Sequence, residues 1–229
     1  MKKLLTILER IVRGFAPATS GVQNSYRNFV TALLAILLLS GCVTQPLSTE
    51  PEQQVQLNVP KQIQHNNKNY VLKSTQDLGT MVHYVYFTNK ESGKDWKSSV
   101  ELLHDRNVQN MSLQERIQLR EKVYDNNDVK YFNLTTEKDT LYAFVIYEPN
   151  VSQHDWQLEV ARASDVQGCG FVQYQYSLKI PQSRKLANMG EIKLIGYLKK
   201  YAIDKEIARL HQLKWDWRCE LPKAQSVPN

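Results

Sequence analysis

No apolar run in this 229-residue chain is long enough to span a bilayer. The longest, Phe29 to Leu39, is eleven residues interrupted only by Thr31, against roughly 20 for a membrane-crossing helix. The short motifs of common chemistries are missing as well. There is no G-x-S-x-G elbow, no H-E-x-x-H, no P-loop and no paired-cysteine knuckle. Gly168-Cys169-Gly170 begins like a dinucleotide fingerprint but lacks the third glycine and runs into a strand-like pattern rather than a helix. Histidine is sparse: His65, His83, His104, His154 and His211 are scattered, and only His154 adjoins a carboxylate, Asp155. Adjacent residues point in different directions in either regular structure, so that pair does not make a dyad. No histidine lies at ligand spacing from a cysteine. Neither a metal nor a cofactor is expected, and the chain has no internal repeat.

What is present begins with the same apolar run. Its length suits a signal-peptide core of roughly 7–15 residues. Lys2, Lys3, Arg10, Arg13 and Arg27 precede it, and small residues ending in cysteine follow. Leu39-Ser40-Gly41-Cys42 resembles the lipobox of bacterial lipoproteins, a resemblance confined to the first 42 residues. It implies a diacylglycerol on the Cys42 thiol, cleavage before Cys42 and acylation of the new amino end. Val43, rather than Asp, after the cysteine implies sorting to the outer membrane. The 28 residues before the core are long for such a signal. Leu4, Leu5, Leu8, Ile11, Val12 and Phe15 fall at helical spacing there, which reads as a basic amphipathic segment or, more simply, as a long or misassigned start. In either case residues 1–41 leave with the signal.

Removing them changes the arithmetic. The remaining 188 residues suffice for one domain with a real core. Five basic residues and Glu9 account for +4 of the formal +6, so the mature chain carries only +2 and shows no nucleic-acid signature. With Cys42 lipidated, Cys169 and Cys219 remain as a pair in an exported protein, where disulfides are made and kept. Closing a loop of that length stabilises by roughly 4 kcal/mol in the chain-entropy model.

Residues 42–67, with Pro46, Pro51, Pro60 and a run of Gln and Asn, read as a flexible tether. Residues 68–223 read as a single α+β domain and 224–229 as a disordered tail. Short strands are expected at 69–73 and 81–88. Residues 94–106 are ambiguous, with Trp96, Val100 and Leu103 fitting a helical face. Ser112 and Glu115 have capping-box spacing, which starts a helix over 113–124, and Asp125-Asn-Asn-Asp128 ends it. Strands follow at 130–134, 140–148, 155–162 and 171–180, the last two alternating as if each kept one wet face. Residues 191–212 are helical in composition, with Asp204 a candidate break. Leu213 to Leu221 alternates so strictly that it reads as a final strand with Trp215 and Trp217 turned to the core. The fold class is therefore an antiparallel sheet with two helical stretches packed on it.

Tyrosine and tryptophan are dense on these strands and read as core. Arg116, Arg120 and Lys122, and likewise Lys199, Lys200, Lys205 and Arg209, form two basic helical faces. They read as solvated surface, with an acidic partner or lipid head groups as the alternative. The functional expectation is a lipid-anchored envelope protein, in the outer membrane through Cys42 and facing the periplasm. It would act without catalysis by binding an envelope protein or a cell-wall polymer, and not nucleic acid. One alternative is a periplasmic hydrolase in which His83, His104 or His154 meets a carboxylate or hydroxyl from afar in sequence. Another is a lipoprotein binding a small ligand for a transporter, although 188 residues are few for two lobes around a cleft.

Overall fold

The structure, a computed structural model, describes residues 55–93, 95–151 and 153–221. The signal segment, Cys42, the first part of the tether and the tail lie outside them. Ten strands form: β1 (Gln56–Leu57), β2 (Gln62–His65), β3 (Lys68–Asp77), β4 (Met81–Thr88), β5 (Ser98–Asp105), β6 (Tyr131–Glu137), β7 (Thr140–Tyr147), β8 (Trp156–Val166), β9 (Gly170–Ile180) and β10 (Cys219–Glu220). Helix α1 (Leu113–Asp125) lies between β5 and β6. After β9 come α2 (Arg184–Ala187), α3 (Glu191–Leu198), a π-helical turn (Lys199–Ile203) and α4 (Asp204–Gln212).

Strands β2 to β9 make one curled antiparallel sheet in the order β2-β3-β4-β5-β9-β8-β7-β6, and β1 pairs with β10 beside it. The sheet is two meanders, β2–β5 and β6–β9, that meet along their last strands. That junction, with Val100 opposite Tyr176 and Leu102 opposite Tyr174, puts β5 and β9 at the centre. Local chemistry explains the hairpins. Asn66 and Asn67 both take positive φ, 49° and 58°, the backbone that a two-residue hairpin needs. Gly170 has φ 101°, and a Cβ there would lie 2.4 Å from the Asp105 carbonyl oxygen, so only glycine fits between β9 and β5.

Antiparallel α+β architecture is what the pattern implies, and helix α1 starts as its spacing predicts. Ser112 Oγ accepts from the Glu115 backbone N–H while the Glu115 carboxylate accepts from the Ser112 N–H. Three local readings need correction and one is resolved. The tether does not extend to residue 67, because Leu57 and Ile63 are buried in the main core and residues 62–65 form the edge strand. Within the ambiguous stretch 94–106, residues 98–105 are strand. As a central strand β5 is buried on both faces, which erases the alternation that would have distinguished it. Strands β8 and β9 have no wet face, being almost wholly buried on both sides. Finally, 213–218 is extended but joins no ladder, and only Cys219–Glu220 pairs, with β1. Arg162 instead holds this strap, donating from Nη1 to the carbonyls of Leu210 and Leu213 at 3.0 and 2.7 Å, with its guanidinium over the Trp215 ring. Trp215 and Trp217 are thus half-buried rather than core.

Asp204 does not break the C-terminal helix. The π turn adds one residue per turn just ahead of it. That extra residue keeps Leu194, Leu198, Ile203 and Leu210 on one buried stripe against the sheet. Without it the stripe would rotate off the core after Leu198. Cys169 and Cys219 are disulfide-bonded, their Cα atoms 5.3 Å apart, which ties the β8–β9 turn to β10.

Candidate functional site: a buried polar layer under helix α1

The sheet has two covered faces of unlike character. One is apolar and tyrosine-rich and packs against α3 and α4. The other lies under α1. Pairing across the strands sets its residues in rows: His83, Leu103, Gln173 and Ala163, then Val85, Glu101, Gln175 and Ala161, then Phe87, Ser99, Ser177 and Glu159. Gln157 and Tyr147 stand opposite each other one row further on. Most of these side chains are buried, including His83, Ser99, Glu101, Gln157, Gln173, Gln175 and Ser177.

Buried polar groups require partners, and here they form ladders. His83 Nε2 donates to Glu101 Oε2 at 2.8 Å, and Ser99 Oγ donates to Glu101 Oε1 at 3.1 Å. Gln173 donates to Gln175 at 3.1 Å, and Gln175 to Ser177 at 3.3 Å. Helix α1 reaches in through Arg120, whose Nη2 donates to Gln173 Oε1 at 2.6 Å. Gln157 Nε2 donates to Glu159 at 2.7 Å.

Two features stand outside this self-satisfaction. The Gln157 side chain is completely buried, yet its Oε1 has no hydrogen-bond donor. Beside it, Glu159 has its pKa raised to about 8, first by desolvation and then by the charge of Glu101. The Gln157 amide and Arg120 oppose that rise without cancelling it. Tyr147, facing the same space, is also pushed up, by burial and then by Glu159. Glu159 and Tyr147 nevertheless retain partial exposure. Glu159 and Tyr147 therefore stand at the edge of the polar layer, crowded by protein yet still touched by solvent. Among the described residues the layer is rich in acceptors there: Glu101, Glu159 and the buried Gln157 carbonyl, with the Arg120 guanidinium close enough to oppose the rise at Glu159. Lys179, whose strand position faces the same side, is turned over the Trp96 ring at 4.2 Å.

A second buried polar chain crosses the other face. Tyr174 OH donates to His65 Nδ1 and His65 Nε2 donates to Glu206, both at 2.9 Å, and Arg209 pairs with Glu206. His65 stacks on Tyr176 at 4.2 Å. Tyr174 is only 1% exposed and its hydroxyl is committed to His65. This chain is a clamp that fastens the edge strand β2 to α4.

Among the histidines singled out in the sequence, His83 meets a carboxylate within the buried polar layer. His104 is buried, its Nε2 donating to the Cys169 carbonyl at 2.9 Å, and burial lowers its pKa. His154 is exposed. Cys42 lies outside the described residues. Among the described residues, no three of His, Cys, Asp and Glu are grouped to hold a metal ion. Gln157 and Glu159 escape sequence reasoning because their alternation looks like a solvated face, and Glu101 because β5 has no period to place it. A weak signal was available: from Gln173 to Ser177 that face carries amides and a hydroxyl but no charge, which is unusual for a strand facing water.

The model of an uncharacterised protein family matches residues 57–215. A protein of Haemophilus influenzae, described as "Uncharacterized protein", is 38% identical over 199 residues, which cover 84% of this chain and 99% of its own length. No solved structure matches. The chain belongs to this family, and the matched span contains every residue of the polar layer.

Proposed function

We propose that the mature chain is a lipid-anchored outer-membrane protein, held by Cys42 and facing the periplasm, that acts by binding rather than by catalysis. The solvent-reached edge of the polar layer under α1 is its binding site, and a small molecule bearing an amino group is its ligand. The observation that carries this reading is the partly exposed Glu159, which burial and the Glu101 charge hold protonated at neutral pH beside the buried Gln157. An ammonium group would pair with the Glu159 carboxylate in place of its proton. Remaining hydroxyl or amide groups on the ligand would meet the glutamine and serine ladder. An amine-bearing cell-wall fragment has this chemistry.

Glucosamine and glucose make a matched pair of probes, differing by an ammonium in place of a hydroxyl. At ten times its Kd a ligand stabilises by about 1.4 kcal/mol, roughly 3–4 °C in melting temperature for a domain of this size. Glucosamine should give such a shift at high millimolar concentration, glucose should not, and Glu159→Gln should abolish the difference. Equal responses to the two sugars, or none to either, would remove the amine from the reading.

One observation favours hydrolysis instead. His83 pairs with Glu101 in the same polar layer where burial holds Glu159 protonated, which sets a second carboxylate near an acid. Release of reducing ends from purified cell-wall polymer, lost in Glu101→Gln, would establish that alternative.

A further inference from the structure

The outer side of the α2–α4 layer is unlike the rest of a solvated helix surface. From residue 184 to 205 its exposed side chains include six cations: Arg184, Lys185, Lys193, Lys199, Lys200 and Lys205. Only two exposed carboxylates, Glu191 and Asp204, stand among them, and Glu191 is engaged by the Tyr131 hydroxyl. The third acid, Glu206, is buried and already paired with His65 and Arg209.

Apolar groups lie within this positive field. Ile192 is 92% exposed and Tyr201 51% exposed. Tyr197 and Tyr201 contact each other at 4.8 Å between ring centroids. Lys185 stands 5.5 Å from the Tyr197 ring, and Lys200 and Lys205 stand 5.5 and 5.9 Å from the Tyr201 ring. Lys193, Tyr197 and Lys200 follow one another at spacings of four and three and share one ridge beside the buried Leu194 and Leu198, with Ile192 on the neighbouring ridge.

We propose that this face docks on anionic phospholipid head groups. Charge complementarity identifies the partner, because a surplus of four exposed positive charges asks for a negative surface. The apolar members choose a bilayer over an acidic protein strand or loop. An aliphatic side chain and amphipathic tyrosine rings amid lysines are what an interfacial helix inserts at the head-group boundary. Anchorage at Cys42 would bring the face to a bilayer, but the proposal does not depend on it.

Lysine-acetylation footprinting of the full chain, read by mass spectrometry, tests this directly. The chain is placed on phosphatidylcholine vesicles with or without about one-third phosphatidylglycerol, a composition that supplies the negative surface potential. Lys193, Lys200 and Lys205 should be modified several-fold more slowly on the anionic vesicles, and high salt should erase the difference. Lys68 and Lys73, exposed on β3, serve as controls and should not change. At about 1 kcal/mol per surface lysine, Lys200→Glu with Lys205→Glu should weaken association with anionic vesicles at least ~30-fold. Flotation reads attachment of the chain and footprinting reads its orientation, so failure of lipid anchorage and failure of this face separate. Equal rates on both vesicles, or protection that includes Lys68 and Lys73, would overturn the proposal. So would protection seen only in native membranes and never on protein-free vesicles, which would assign the face to a protein.

Discussion

Replacing Glu159 by glutamine removes the charge that the polar layer disfavours and leaves the shape unchanged. The folded protein holds the Glu159 proton to about pH 8, whereas an unperturbed glutamate releases it near 4.5. Between those values the folded state binds more protons than the unfolded one. Stability is therefore full at low pH and declines as pH rises through that window. Each unit is worth about 1.4 kcal/mol. At pH 7 the full difference would be about 3 kcal/mol, and partial exposure of Glu159 brings it nearer 2. Glutamine cannot ionise, and its carbonyl can still accept the Gln157 amide hydrogen that Glu159 accepts at 2.7 Å. Glu159→Gln should therefore match the wild type near pH 4, exceed it by about 2–3 kcal/mol at pH 7 and exceed it further at pH 9. In thermal melts the pH 7 difference amounts to roughly 5–10 °C. Urea titrations at the three pH values give the free energies directly. A difference between variant and wild type that does not change with pH would refute the reasoning, because only ionisation of Glu159 makes it grow.

Three other outcomes follow from particular contacts. His65→Ala leaves Glu206 buried without its imidazole partner and Tyr174 without an acceptor. It should destabilise by about 3–5 kcal/mol in urea unfolding, and loss of less than 1 kcal/mol would show that β2 is not held by this clamp. Cys169→Ala with Cys219→Ala should cost up to about 4 kcal/mol, while the oxidised wild type should show no thiol that labels under denaturing conditions apart from an unlipidated Cys42. Two further labelled thiols in protein purified from its native compartment would contradict the bond. Cys42→Ser should prevent lipid incorporation in cells and shift the chain from the membrane fraction, and unchanged metabolic labelling with palmitate would end the anchorage proposal.

The strands that alternate between one dry and one half-covered side were legible from spacing, as was the capping box of α1. Both depend on residues within a few positions of one another, so the tertiary fold cannot easily reverse them. The tyrosines of β4 and β9 were correctly expected in the core for the same reason. Strand β5 was not legible, because a central strand buried on both faces loses its period. The hairpin β2–β3 was masked by the Gln and Asn composition that two positive-φ asparagines and an edge position tolerate.

By itself the sequence determined the antiparallel α+β class and the helix start at Ser112, since each rests on local periodicity and backbone chemistry. Only the tertiary structure decided which polar residues are inside. Helix α1 connects the two meanders and lies across the face that β5, β8 and β9 would otherwise show to water. That placement turns a row of ordinary glutamines, serines and glutamates into a desolvated layer, in which β4–β5 pairing brings His83 to Glu101 and the Gln157 carbonyl is left without a donor.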